Sequence, residues 1–371
     1  MCTTEKNTLI VFIDSLPYSQ ANRMSFLSTA RVLCELTPGL GYSINLLPEL
    51  FGGYQPDDLG FFGEWNYAPA ESPFAKIAWL LPLLSKLCVS PFTERAMRRL
   101  LRETTGPTFK IPLRHLDRFS RVEADVYSLD FSHQTLFSQM PDLFLILPYK
   151  GVRGQRDEDG YLQTQEQVQA HNKVYLALPD LDSYAHRYGM ESQEYTRKIQ
   201  QLDQWLQQLH STLLKRYSHD SQMIVLSDHG MVDVTTGYYL QIEDMLVPSR
   251  KDTYTYFLDS TLMRIWVHDS SLYEPIRDYL DHLNVGTVLD RQDRSQYGIK
   301  SRAFGDFVFV LNEGVVFHPS SLSNSIPKAM HGYHPELASQ KAVFAAWGAT
   351  LPNDVYPRKT LQVAKTLNHI L

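Results

Sequence analysis

Six side chains in this 371-residue sequence are of types that bind divalent metal through oxygen and nitrogen: Asp14, Asp182, His186, Asp228, His229 and His331. Asp182 and His186 are four apart, a spacing that puts both on one face of a helix or tight turn. Asp228 and His229 are adjacent, so they converge only on an irregular backbone, which Gly230 would permit. Taken singly, each residue has an ordinary reading. An aspartate after a strand often caps a helix or makes a turn, and a lone histidine such as His331 is more often structural. Taken together, three carboxylates and three imidazoles suit zinc, with manganese or iron also compatible. Six ligands are too many for one catalytic zinc, which keeps a position open. They match two ions with three protein ligands each. Two metals ~3.5–4 Å apart clamp the attacking and leaving oxygens of an in-line phosphoryl displacement.

The elements that must position these groups are legible nearby. Leu9–Ile13 is a short apolar run rich in β-branched residues and ends on Asp14, which predicts a buried strand of a parallel sheet. Val174–Leu178 ends just before Pro179-Asp-Leu-Asp182, and Met223–Leu226 runs into Ser227-Asp-His-Gly230. Leu143–Leu147 has the same character. Tyr195, Ile199, Leu202, Leu206, Leu209 and Leu213 recur at threes and fours, which predicts an amphipathic helix between two of these strands and hence a βαβ unit. Open α/β sheets build their sites outside the carboxyl ends of their strands, where these clusters fall.

Composition bounds the function. Lysine plus arginine is 35 against 41 aspartate plus glutamate, a net charge of −6, which gives no reason to expect nucleic acid as a bulk partner. A hydrophobic content of 43% supports a sizeable core. Three cysteines form no disulfide framework. The polar start Met1–Asn7 leads straight into the first strand without a signal-peptide pattern, and no apolar run reaches the ~18 residues that span a bilayer. The expectation is a soluble cytoplasmic protein.

Residues 61–140 differ. Phe74–Phe92 is apolar and proline-broken, and Arg95, Arg98, Arg99 and Arg102 follow among Met97, Leu100 and Leu101. This segment reads as a partly helical insertion, a cap over the site that sets substrate choice. Apolar followed by basic also marks membrane-surface segments, so contact through 74–102 is the lesser reading beside a helical insert packed on its own domain. Gly151–Gly160 reads as a charged, turn-rich loop.

Four ordered motifs resemble the alkaline phosphatase superfamily, on its type I phosphodiesterase/nucleotide pyrophosphatase branch. Phe12-Ile-Asp14 resembles the first metal aspartate. Asp182-Ser-Tyr-Ala-His186-Arg-Tyr-Gly189 resembles the Asp-x-x-x-His-x-x-Gly element. Ser227-Asp-His-Gly-Met231 resembles the Ser-Asp-His-Gly-Met signature, and His331-Gly-Tyr333 the late His-Gly-Tyr. Phe344-Ala-Ala-Trp-Gly348 stands where the family has a strand ending in glycine. The resemblance covers residues 8–60 and 140–371.

It implies one α/β catalytic domain over 1–371, an alkaline phosphatase-like, mostly parallel central sheet flanked by helices on both faces, with 61–140 inserted. Gly52-Gly-Tyr-Gln-Pro56 resembles the family's Thr-Gly-x-Tyr-Pro stretch, and counting back ten from Gly53 gives Ser43 as nucleophile. A plain helix N-cap at Ser43 is compatible, because a helix N-terminus also suits a phosphate. By resemblance, Asp14, Asp228 and His229 hold one ion together with Ser43, and Asp182, His186 and His331 hold the other. The implied cofactors are two divalent ions, zinc first. The implied substrate is a small-molecule phosphoester, a diester or pyrophosphate, with a phosphomonoesterase or a catalytically silent binding module as alternatives. The chain departs from the pattern at Leu46, where the family often keeps an asparagine that contacts phosphate, which leaves Asn45 as the nearest amide for that contact. His334 stands where aspartate is common and reads as supporting the ligands from behind, with a surface role as the alternative.

Overall fold

The computed structural model describes residues 6–87, 91–105, 112–150, 156–321, 325–349, 351 and 356–371. The chain forms two compact units, one from Met1–Gln55, Ala124–Asp233 and Lys328–Leu371, the other from Pro56–Glu123 and Val234–Pro327. Of the segment read as an insertion, residues 61–123 belong to the second unit and 124–140 to the first.

In the first unit, β1 (Asn7–Ile13) lies in the middle of a six-stranded sheet. The others are β2 (Val32–Leu36), β3 (Phe144–Ile146), β4 (Lys173–Leu178), β5 (Ser221–Leu226) and β6 (Ala342–Trp347). Their spatial order is β2–β6–β5–β1–β4–β3. β5, β1, β4 and β3 pair in parallel, and β6 runs antiparallel to both its neighbours. β4 and β5 are buried along their whole length, which is why they read as unbroken apolar runs rather than as alternating ones.

Side chains of β1 alternate between two cores. Leu9, Val11 and Ile13 pack with Tyr195, Ile199, Leu202, Leu206, Leu209 and Leu213 of the helix Gln193–Tyr217. Ile10 and Phe12 pack with Leu50 and Phe51 of α1 (Ser43–Gly52) and with Val363 and Leu367 near the carboxyl end. Helices therefore cover both faces. Each of the buried leucines contributes ~1.5–3 kcal/mol by leaving water. Along the chain, α2 (Asp157–Ala170) and α3 (Asp180–Tyr188) lie between α1 and the helix Gln193–Tyr217, which is α4. Ser192 caps α4 by accepting from the Tyr195 N–H at 3.1 Å. The segment expected to be a loop over 151–160 is corrected in its second half. Asp157, Glu158 and Asp159 form the first turn of α2, where negative charge favours a helix start, while 151–155 lie outside the described residues.

The second unit is built on an antiparallel sheet of Tyr254–Leu258, Leu262–Val267, Phe307–Leu311 and Gly286–Val288. Arg264 is fully buried there, paired with Asp259 at 3.1 Å and donating to the carbonyls of Phe62 and Trp65. That network ties the unit's two chain segments together.

α1 also carries a buried acid. Glu49 accepts from the Thr360 hydroxyl, yet burial outweighs its hydrogen bonds and pushes its pKa up from 4.5 to about 7. Between those two values the folded state keeps a proton that the unfolded state releases. Stability should therefore fall as pH rises through this window and stay lower above it, by about 3 kcal/mol. Urea unfolding at pH 5 and pH 8 should show Glu49→Gln losing correspondingly less than wild type. Equal losses in the two proteins would remove Glu49 as the cause.

Candidate metal centre

Each ligand candidate is delivered by the end of a regular element in the first unit. Asp14 follows β1. Asp228 and His229 follow β5. Asp182 and His186 stand one turn apart on α3, which opens two residues after β4. His331 follows the two-residue strand Ala329–Met330. Ser43 is the first residue of α1.

Local chemistry explains these placements. Ser227 accepts from the Leu16 N–H at 2.8 Å and donates to the His229 carbonyl, which ties the exit of β1 to the exit of β5. Asp228 Oδ1 accepts from the N–H groups of Ser15 at 3.3 Å and His229 at 3.1 Å. Gly230 is required by close approach: a Cβ there would lie 2.0 Å from the Ser339 carbonyl oxygen. At the start of α1, Gly41 takes φ +124°, and a Cβ would lie 2.4 Å from Asn45 Oδ1. Asn45 is buried; its oxygen accepts from the Tyr42 N–H at 3.1 Å and its amide donates to the Leu40 carbonyl at 2.9 Å. It braces the loop that delivers Ser43.

Two groups of ligand atoms result, each with all its atoms within 4.8 Å of one another: Asp14, Asp228 and His229 in one, Asp182, His229 and His331 in the other. His186 Nε2 lies 3.3 Å from Asp182 Oδ1, and His331 Nε2 lies 3.7 Å from the same oxygen. The rings of His229 and His331 stack with centroids 3.7 Å apart. His229 thus stands between the groups, which spacing along the chain could not show. Ser43 Oγ is 3.2 Å from His229 Nε2. His334 lies in the following turn, where it accepts from the Glu336 N–H at 3.4 Å.

These residues fit a pair of cations. His186 Nδ1 donates to the Ala329 carbonyl at 2.7 Å and His229 Nδ1 to the Gly230 carbonyl at 2.9 Å. Those bonds leave each Nε2 with a lone pair aimed at the carboxylates, the arrangement common to metal-binding histidines. His229 Nε2 faces Asp14 at 3.6 Å and Asp228 at 3.4 Å. Asp14 Oδ1, Asp182 Oδ1 and Asp228 Oδ2 are buried without a hydrogen-bond partner. Lone pairs meet lone pairs here, and cations would resolve the conflict.

The electrostatics express the same crowding. Burial, then the carboxylates of Asp228 and Asp182, pushes Asp14 well above the usual range. Burial also raises Asp228, against the pull of His229. Asp182 is raised by burial, but the imidazoles of His186, His331 and His229 outweigh that and hold it low. Burial and then His229 hold His331 well below the usual imidazole value.

Behind α3 lies a buried ion cluster that no motif announced. Lys198 of α4 pairs with Asp157 at 2.8 Å and Asp180 at 3.4 Å, and the Asp180 N–H donates to Asp157. It pins the first turn of the helix that bears Asp182 and His186. Burial raises Asp157 to about 6 in spite of Lys198.

The profile of the type I phosphodiesterase/nucleotide pyrophosphatase family matches residues 102–334, which is more than half of the chain. The chain belongs to this family. Membership makes this type I phosphodiesterase relative a hydrolase of phosphoric ester bonds. The matched stretch holds Asp182, His186, Asp228, His229 and His331; Asp14 and Ser43 lie before it. No curated protein matches the phosphodiesterase-family chain in sequence. Its fold is similar to solved structures. One is an inactive murine ectonucleotide pyrophosphatase/phosphodiesterase 5 in complex with AMP, at TM-score 0.64 and 16% identity over 99% of this chain and 95% of that one. The human protein of the same name gives TM-score 0.65 and 16% identity over 98% and 94%.

Proposed function

We propose that this phosphoric ester hydrolase cleaves phosphodiesters and nucleotide pyrophosphate bonds, with Ser43 as nucleophile. The observation that carries this reading is Ser43 Oγ at the start of α1, 3.2 Å from His229 Nε2. Asp14, Asp228 and His229 would hold one divalent ion beside Ser43, and Asp182, His186 and His331 the other, with zinc the first choice for this donor set and manganese or iron compatible. Bound there, such ions supply a lowered hydroxyl pKa and charge neutralisation at the leaving oxygen.

The chain's own residues do the rest. Ser43 opens α1, so the positive end of that helix would favour the phosphate that Ser43 attacks. Ser43 Oγ gives up its proton and forms the new bond to phosphorus as the bond to the leaving oxygen, of an alcohol or of a phosphate, breaks, and that oxygen takes up a proton; water then hydrolyses the phosphoserine and restores the Ser43 hydroxyl. Each displacement inverts at phosphorus, so the sum is retention. The AMP held by the murine relative supports a nucleotide-type substrate. Preference for diesters over monoesters rests on the family.

Hydrolysis of bis(p-nitrophenyl) phosphate and of p-nitrophenyl phosphate, with zinc or manganese added, tests this. The diester should show the higher kcat/KM. Faster monoester turnover would make the enzyme a phosphomonoesterase, and no turnover of either with any ion would favour the silent binding module.

A further inference from the structure

The two helices Leu81–Leu87 and Pro91–Thr105 of the second unit each present two contrasting faces. Leu81 and Leu101 sit in a core cluster with Trp65, Phe74, Leu116 and Phe119, and Leu84 and Met97 pack against it. The opposite faces carry exposed side chains among the described residues. Leu83 and Leu87 on the first helix are 54% and 57% exposed, and Trp79, in the turn that leads into it, is 78% exposed. Phe92, Ala96, Arg99 and Leu100 share one side of the second helix, with Phe92 80% exposed and Leu100 57%. Single exposed apolar residues are ordinary, but an exposed Trp, a Phe and three Leu so close together in sequence are not.

Charge says what such a face would meet. Between residues 74 and 102 the chain carries Lys76, Lys86, Arg95, Arg98, Arg99 and Arg102 against the single acidic Glu94, in a protein whose net charge is −6. Lys76, Lys86 and Arg99 are exposed beside these apolar residues. Basic residues interleaved with exposed Trp, Phe and Leu are the composition of helices that lie in a lipid headgroup layer. Among the described residues no helix is long and apolar enough to cross a membrane.

We infer that the outer faces of 79–87 and 92–100 dock the protein on an anionic lipid surface. Trp79, Leu83, Leu87, Phe92 and Leu100 enter the headgroup boundary. Lys76, Lys86 and Arg99 meet lipid phosphates, and a basic residue near such a surface strengthens binding about fivefold. The inference is independent of the chemistry assigned to Ser43.

Flotation of the 371-residue chain with vesicles tests it. The protein should float with equimolar phosphatidylcholine and phosphatidylglycerol vesicles, and not with phosphatidylcholine alone. Bromine-labelled lipid should quench part of its tryptophan emission, and that part should vanish in Trp79→Ser. Two double variants, Trp79→Ser with Phe92→Ser and Lys86→Glu with Arg99→Glu, should each partition at least about tenfold more weakly. Thermal unfolding serves as their fold control. The inference is overturned if wild type ignores anionic vesicles or binds neutral ones equally well. It also fails if folded double variants bind as wild type does. A dimer in wild type that dissociates in Trp79→Ser, with no vesicle binding, would assign the face to a second copy instead.

Discussion

Replacing Ser43 with alanine is expected to abolish phosphoryl transfer while leaving metal content nearly intact. The six carboxylate and imidazole groups are untouched by the change, and α1 keeps the Asn45 brace that holds its first turn. Only the hydroxyl 3.2 Å from His229 is lost. The measurements are kcat/KM on bis(p-nitrophenyl) phosphate and elemental analysis of protein purified without chelator. In wild type, a phosphoserine on Ser43 should be trapped at low pH and seen by mass spectrometry. Activity of the variant within a factor of about ten of wild type, worth ~1.4 kcal/mol, would mean that water attacks phosphorus directly. Ser43 would then serve only to begin the helix.

Asp228 should be nearly as sensitive, and here two roles can be separated. Asp228→Ala removes a charge and also strands the buried N–H groups of Ser15 and His229, each costing ~1–3 kcal/mol. Asp228→Asn keeps an oxygen for both N–H groups, removes the charge and puts an amide NH2 in place of the second carboxylate oxygen. The asparagine variant should unfold close to the wild-type temperature yet turn over substrate at least about a hundredfold more slowly, a loss of ~2.7 kcal/mol in transition-state stabilisation. It should also retain less metal. Should it keep more than a tenth of wild-type activity with full metal content, Asp228 braces the strand end and does not hold an ion.

The parts of the catalytic unit that could be read from sequence are those whose local pattern is dictated by burial. β1, β4 and β5 are unbroken apolar runs because both sides of the sheet are covered, and α4 shows its period because one stripe of it meets the core. β2 escaped notice because Leu33, Cys34 and Glu35 are only partly buried or exposed at the sheet's edge, which leaves no apolar run to see. The helix α2 hid its start because Asp157, Glu158 and Asp159 look like loop residues until the helix dipole is considered. At the site, the motifs named the ligand types and their order. They could not show that His229 stacks on His331 between the two groups, nor that Lys198 and Asp157 meet behind α3, because such contacts join segments far apart in the chain.

The interleaving of the two units has a consequence for how the protein is made. β2 emerges early from the ribosome, yet its sheet neighbour is β6, residues 342–347. His331 likewise belongs to the third segment of the first unit, which is synthesised after all of the second unit. During translation the nascent first unit must therefore wait with the edge of β5 open and its candidate ligand set short by one histidine. Open strand edges invite pairing with other chains. Nascent chains stalled before residue 342 should accordingly be strong clients of chaperones, and a metal taken up before residue 331 appears would meet an incomplete site.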